Sequence, residues 1–225
     1  MAGSTDGACS YRYERKFKVP FHMQPNMAAI LRNSRFGFRE IYGARTVNNV
    51  YFDTPLFRFF HENVQGAPDR KKIRIRWYGD AYFAGNCQLE IKRKIGLVGI
   101  KDVVPLTLDA NDIMQFDFFD RQPLPDTVRF ELSGVRPTLF NRYRRRYFLS
   151  ADERFRMTID FELCYNHPSM LNQTGSRGNP DIMSVLELKY DRSADSDAAY
   201  VTADIPLSLS KKSKYVTGVC EVYDS

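Results

Sequence analysis

Arginine and lysine recur at every second position along several segments of this chain, with an occasional glutamate among them. Lys72, Arg74 and Arg76 alternate with Ile73, Ile75 and Trp77, and Glu90, Lys92 and Lys94 alternate with Leu89 and Ile91. Arg12, Glu14, Lys16 and Lys18 form a similar row near the start. Further on, Arg156, Thr158 and Asp160 oppose Phe155, Met157, Ile159 and Phe161, and Glu187 and Lys189 oppose Leu186 and Leu188. Successive side chains of a strand point to opposite faces, so each segment carries one charged row and one apolar row. Arginine forks grip phosphate or carboxylate oxygens two at a time and lysines act as point charges, so such rows have the chemistry to hold a polyanion.

The same alternation arises in any amphipathic strand whose polar face meets water, and for one strand alone that is the simpler account. Five strands of Arg, Lys and Glu with almost no Ser, Thr or Gln are less usual for a solvated face. A closed barrel packed outside by helices also satisfies both rows, its charged faces lining a tunnel. There the mutual repulsion is tolerable once a multivalent anion and its metal fill the space. The pattern alone leaves both arrangements open and slightly favours the solvated one.

The elements that would carry these rows are mostly short strands. They are expected at Arg12–Val19, Val47–Asp53, Lys71–Tyr78, Gln88–Lys94, Lys101–Leu108, Asn141–Leu149, Arg154–Glu162 and Ser184–Tyr190. Pro105 assigns the Lys101–Leu108 strand to an edge or bulge. Ser150 to Glu153 reads as a hairpin turn and Leu171 to Asp181 as a flexible loop. Helices are expected at Pro25–Arg35, Leu56–Glu62, Asp109–Phe119, Ser193–Ala203 and after Tyr215. The fold class is therefore mainly β, with helices added.

Composition narrows the function classes. With 225 residues, 43% of them hydrophobic, the chain suits one large β domain over residues 11–225, after a polar lead at 1–10. No run approaches the roughly 18 apolar residues of a membrane helix, and the lead has no signal-peptide core. Cys9, Cys87, Cys164 and Cys220 are far apart, which fits a reducing cytoplasm better than a disulfide framework or a zinc site. His22, His61 and His167 have no ligand spacing, and His61 reads as part of a short aromatic helix. The net charge of +6 points to an anionic partner. In the run Arg142, Arg144, Arg145, Arg146, alternation sets Arg145 against its neighbours. No RNP-like aromatic motif accompanies it, so nucleic acid is disfavoured.

An ordered set of motifs adds to this reading: RYERKFKV, VYFDTP, KIRIRWYG, LEIKRK followed by IKD, RYRRRYF, RMTIDF, VLELKY and KKSKYVTG. Collinear from Tyr11 to Gly218, they make the chain resemble the triphosphate tunnel (CYTH-like) superfamily, and most closely its VTC polyphosphate-polymerase branch. The resemblance implies a closed antiparallel barrel of about eight strands forming a tunnel. It implies phosphate-binding roles for Lys16, Arg74, Arg76, Lys92, Lys101, Arg145, Arg156, Lys211 and Lys214, with hydroxyls from Tyr143 and Ser213. Of these, Lys16, Arg74, Arg76, Lys92, Arg145, Arg156 and Lys214 would serve catalysis. Glu187 would hold Mn2+ or Mg2+, with Glu14 as a second candidate ligand. The superfamily's ExExK strand reads Arg12-Tyr13-Glu14-Arg15-Lys16 here, and the loss of its first glutamate moves the chain towards the polymerase branch.

The expected activity is transfer of the ATP γ-phosphate to a growing polyphosphate chain. A triphosphatase acting on inorganic triphosphate or a nucleoside triphosphate is the first alternative, and a non-catalytic polyphosphate sensor the second. Sparse carboxylates favour the polymerase, because an anionic phosphate nucleophile needs no general base whereas water does. A separately encoded membrane partner remains compatible with this reading.

Overall fold

The computed structural model describes residues 12–79, 85–96, 98–108, 112–115, 117–171, 183–203 and 205–224. The expected lead at 1–10 and most of the expected loop at 171–181 lie outside these residues. Eight strands form one sheet: β1 (Arg12–Pro20), β2 (Arg39–Asp53), β3 (Arg70–Tyr78), β4 (Gly85–Ile95), β5 (Val98–Leu108), β6 (Arg136–Leu149), β7 (Phe155–Asn166) and β8 (Met183–Asp191). Their spatial order is β1-β8-β7-β6-β2-β3-β4-β5, and the ladders β1–β8, β7–β8, β2–β3, β3–β4 and β4–β5 are antiparallel. Among the described residues five α-helices accompany the strands: α1 (Met27–Asn33), α2 (Arg58–Val64), α3 (Asp126–Glu131), α4 (Asp195–Ala203) and α5 (Lys214–Tyr223).

The mainly β class holds, but the expected closed barrel does not follow from the hydrogen bonding. The ladder begins at β1 and ends at β5, and among the described residues no strand pairing joins these two edges. Pro105 lies in β5, where an edge tolerates a residue that cannot donate a backbone hydrogen bond.

The chain divides into two compact units. One comprises Met1–Ala44, Arg146–Phe161 and Met183–Lys211; the other comprises Arg45–Arg145, Glu162–Ile182 and Lys212–Ser225. In the first, Phe17 and Val19 of β1, Phe155, Met157 and Ile159 of β7, and Leu186 and Leu188 of β8 pack with Met27 and Leu31 of α1 and Ala198 and Val201 of α4. In the second, Ile73, Ile75 and Trp77 of β3 and Leu89 and Ile91 of β4 pack with Phe59 of α2, Leu132, and Ile113, Phe118 and Phe119. These are the apolar rows read from the sequence, and each is covered by helices or turns. Burying one such aliphatic or aromatic side chain contributes roughly 1.5–3 kcal/mol, so the rows determine which way each strand faces.

Several boundaries differ from expectation. β2 starts at Arg39 rather than Val47; its first half is largely exposed and carries no alternation that the sequence would show, whereas Val47–Asp53 is buried throughout. The expected helix at Asp109–Phe119 is a single 3-10 turn at Asp112–Met114 followed by turns, and residues 109–111 and 116 lie outside the description. Helix α3, absent from the sequence reading, begins immediately after Pro125 with Asp126 in its first turn. The hairpin at Ser150 forms as expected: its Oγ accepts from Phe155 N at 3.0 Å.

Candidate functional site

In the second unit the charged rows of neighbouring strands fall in register. Lys72 is opposite Lys92, Arg74 opposite Glu90, and Arg76 opposite Gln88 across β3–β4. Lys92 is in turn opposite Lys101 across β4–β5, and Asn49 and Tyr51 of β2 face Arg76 and Arg74. Directly opposed residues present their side chains to the same face. That face therefore collects Asn49, Tyr51, Lys72, Arg74, Arg76, Glu90, Lys92 and Lys101.

This row does not behave as a solvated face. Arg76 and Arg145 are 8% exposed and Glu90 is 2% exposed. The Arg74 guanidinium donates from Nε to Glu90 Oε2 at 2.7 Å and from Nη1 to the Tyr51 hydroxyl at 3.1 Å. Arg76 donates from Nε to Asn49 Oδ1 at 2.9 Å and from Nη2 to the Tyr143 hydroxyl at 3.3 Å, and its Nη1 lies 3.6 Å from Glu90 Oε1. Lys101 Nζ donates to Glu90 Oε1 at 2.7 Å. Burial alone would raise the Glu90 pKa, but Arg74, Arg76 and Lys101 together outweigh it and hold the carboxyl well below the usual range. Burial disfavours the Arg74 charge, yet Tyr51 and Glu90 outweigh it, so the guanidinium stays charged. A carboxylate held this way is a poor general base.

Helix α5 brings the C-terminal motif to the same unit. Ser213 caps it, its Oγ accepting from Val216 N at 3.4 Å and from Lys72 Nζ at 3.0 Å. The Lys214 ammonium sits 5.1 Å from the Tyr143 ring centroid and the Arg145 guanidinium 5.4 Å from it. Tyr215 stacks on Tyr51 with centroids 5.1 Å apart and donates its hydroxyl to Asp53. Asp53, fully buried, also accepts from the backbone of Thr54 at 2.7 Å, Phe59 at 2.9 Å and Phe60 at 2.8 Å. This aspartate satisfies the amides that open α2 and tethers α5 through Tyr215. Close approach of α5 also depends on Gly218, where a Cβ would meet Tyr165 Cδ1 at 2.4 Å and Leu139 Cδ2 at 2.6 Å.

Of the residues named from sequence, Arg74, Arg76, Lys92, Lys101, Tyr143, Arg145, Ser213 and Lys214 thus belong to the second unit. Glu14, Lys16, Arg156, Glu187 and Lys211 belong to the first. There Lys16 is opposite Glu187 and Glu14 opposite Lys189 across β1–β8, while Thr158 is opposite Glu187 and Arg156 opposite Lys189 across β7–β8. Glu187 is buried and ion-paired to Lys189 at 2.7 Å; Glu14 is exposed and ion-paired to Lys16 at 2.6 Å. Lys211 is exposed and follows Ser210, whose N–H bonds to Lys16 O at 2.8 Å.

Among the described residues no three His, Cys, Asp or Glu side chains gather as a metal group. Thr158 Oγ1, opposite Glu187, is buried without a hydrogen-bond partner. One carboxylate and one hydroxyl suit a hard divalent ion that keeps waters and takes its other oxygens from a phosphate ligand; they do not make an all-protein cage. Glu187 and Thr158 fit that kind of ion.

Tyr51, Asn49, Tyr215 and Lys72 are not among the site residues expected from sequence, although Lys72 belongs to an expected charged row. The signal was present: Asn49, Tyr51 and Asp53 alternate in VNNVYFD as the cations do in KIRIRWYG. Arg145 is buried and Arg144 exposed, as alternation required. His61 is an exposed residue of α2. No helix among the described residues is long and apolar enough to cross a membrane.

Solved structures are similar to this chain at low identity. One is described as a candidate adenylate cyclase from Vibrio parahaemolyticus (TM-score 0.54, 14% identity, covering 92% of this chain and 98% of that one). Another is a candidate adenylyl cyclase from Hippeastrum described as having a dominant triphosphatase activity (TM-score 0.49, 12% identity, 93% and 97% covered). No curated protein matches the chain. The VTC domain model matches residues 11–223, nearly the whole sequence with every motif and every cation described above, and the chain belongs to the VTC domain family.

Proposed function

We propose that this chain, acting as one domain over residues 11–225, is a polyphosphate polymerase that moves the γ-phosphate of ATP onto inorganic polyphosphate. The observation that carries the reading is the cation face of the second unit, where Arg74, Arg76 and the exposed Lys101 surround one buried glutamate and Lys72, Lys92, Arg145 and Lys214 add charge. The carboxylates bordering it, Glu90 and Asp53, are committed to internal partners. A triphosphate, with three to four negative charges and oxygens on every side, matches that excess in charge and in donor geometry. Lys16, Arg156 and Lys211 of the first unit are proposed to bind phosphate as well.

In the proposed reaction an oxygen of the chain's terminal phosphate forms a bond to the γ-phosphorus. The bond from that phosphorus to the β–γ bridging oxygen breaks, and ADP leaves. The nucleophile is already anionic, so no residue must remove a proton, which agrees with a site whose nearest carboxylate is bound to three cations. Positioning and charge neutralisation then carry most of the catalysis, as is general for phosphoryl transfer. Arg74 and Arg76 hold the equatorial oxygens, Tyr143 and Ser213 donate hydroxyl hydrogen bonds, and Lys214 follows the chain. Glu187, with Glu14 as a weaker candidate, would hold Mn2+ or Mg2+, which would supply charge neutralisation. A cytoplasmic active site, alone or beside a membrane partner, completes the proposal.

The test is incubation of the purified chain with ATP and manganese, with products resolved on a polyphosphate gel. Chain growth with stoichiometric ADP is the expected result. Phosphate release without growth assigns the chain to hydrolysis, and polyphosphate binding without ADP formation makes it a sensor.

A further inference from the structure

Glu90 sits within the cation face, and its partners come from that face. Arg74 commits Nε and Nη2 to its Oε2, Lys101 commits Nζ to Oε1, and Arg76 Nη1 lies close to the same oxygen. The other guanidinium nitrogens go to neutral acceptors, the hydroxyls of Tyr51 and Tyr143 and the Asn49 amide oxygen. Both arginine side chains are therefore already held in place around one buried carboxylate. The carboxylate is 2% exposed, so it cannot swing aside into water when a phosphate arrives. Its charge stays beside the ligand and repels it.

Resting on the polyphosphate reading above, we propose that Glu90 is a built-in counter-anion that limits how tightly the site holds a phosphate chain. It keeps Arg74, Arg76 and Lys101 positioned when no ligand is bound. When a ligand is bound, it subtracts one unit of charge at close range from a low-dielectric site, where a charge acts far more strongly than at the surface. A site that must pass a growing chain along itself needs this limit, because contacts to every unit of the product would otherwise add until release became slow. Glu90 is thus a positioning and affinity-setting residue that touches the reaction through the cations.

The experiment is calorimetric titration of the full chain with inorganic tripolyphosphate, for the wild type and for Glu90→Gln, at several salt concentrations. The glutamine keeps the shape and one acceptor oxygen and removes the charge. The expected result is at least tenfold tighter binding with a steeper salt dependence. The ligand-free variant should melt lower, and saturating tripolyphosphate should close the gap. A Glu90 that served only to hold the arginines would give weaker binding on substitution, and weaker or unchanged affinity overturns the proposal. Should Glu90→Gln fail to fold, the comparison is made between Arg74→Met and Arg74→Met/Glu90→Gln, since a buried pair removed together is better tolerated than one partner alone. The double variant must then bind more tightly than the single one; equal or weaker binding refutes the inference. No binding by the wild type would instead refute the polyphosphate reading itself, so the two failures are distinct.

Discussion

Replacing Gly218 with alanine tests how closely α5 is required to approach the sheet. An added Cβ would lie 2.4 Å from Tyr165 Cδ1, 2.6 Å from Leu139 Cδ2 and 3.0 Å from Leu139 Cδ1. Ordinary carbon contacts are about 3.5–4 Å, so the neighbours or the helix must give by roughly 1 Å. Leu139 and Tyr165 are both buried and have no solvent to move into. Overpacking of this kind costs about 1–3 kcal/mol, and three close atoms place it near the upper end. Alanine's better helix propensity returns about 1 kcal/mol, leaving a net loss of about 2 kcal/mol. For a chain of this size that corresponds to a melting temperature lower by roughly 4–8 °C. Circular dichroism melts of the two proteins read this directly. A displaced α5 also moves Ser213 and Lys214, so tripolyphosphate affinity should fall with it. An unchanged or raised melting temperature would refute the packing argument.

Tyr215→Phe removes one hydrogen bond to the buried Asp53 carboxylate and should lower stability by about 1.5–3 kcal/mol in urea unfolding, while a neutral outcome would mean the tether is dispensable. Acid sensitivity follows from the carboxyls held below their ordinary pKa. Burial opposes ionisation of Glu90 but its three cations prevail, Lys71 and Arg93 do the same for Glu131, and the Arg146 hydrogen bond lowers Glu40. A depressed folded-state pKa gives stability that is complete above the unfolded value, near pH 4.5, and is lost as pH falls through the folded value. Melts from pH 6 down to pH 2.5 should therefore show a steep decline, and Glu131→Gln should flatten it; an unaltered slope would exclude that residue. Glu187→Gln should leave the melting temperature within a few degrees and abolish metal-dependent ADP formation, and full activity would remove its assigned metal role.

The sequence carried the fold as far as its alternating rows extended. β3, β4, β7 and β8 were legible because one face of each is apolar and packed, and period two records that division. The first half of β2 was not, since its residues 39–45 are largely exposed and nothing in their order distinguishes inside from outside. Helix α3 was hidden in PLPDTVRFE, a stretch too short and too polar for a helical stripe. The cations of the site followed from spacing and family motifs. The partners that hold them did not, because Asn49, Tyr51 and Tyr215 meet Arg76, Arg74 and Asp53 only once β2, β3 and α5 are placed. Glu90 shows the same limit. Its row was evident, but its capture by three cations is a property of register.

The most direct test of the account contrasts two arginines of equal charge on opposite faces. Tripolyphosphate is titrated calorimetrically into the wild type, Arg74→Ala and Arg144→Ala. Arg74 lies on the cation face with its side chain 13% exposed, whereas Arg144 is exposed and 3.5 Å from Glu162 in an ion pair. Charge-assisted hydrogen bonds of the Arg74 kind contribute about 1.5–3 kcal/mol, so Arg74→Ala should weaken binding roughly 10- to 150-fold and Arg144→Ala should change it less than twofold. Equal losses in the two variants would mean that the anion responds only to overall charge, and that the rows of arginine and lysine are not a binding site.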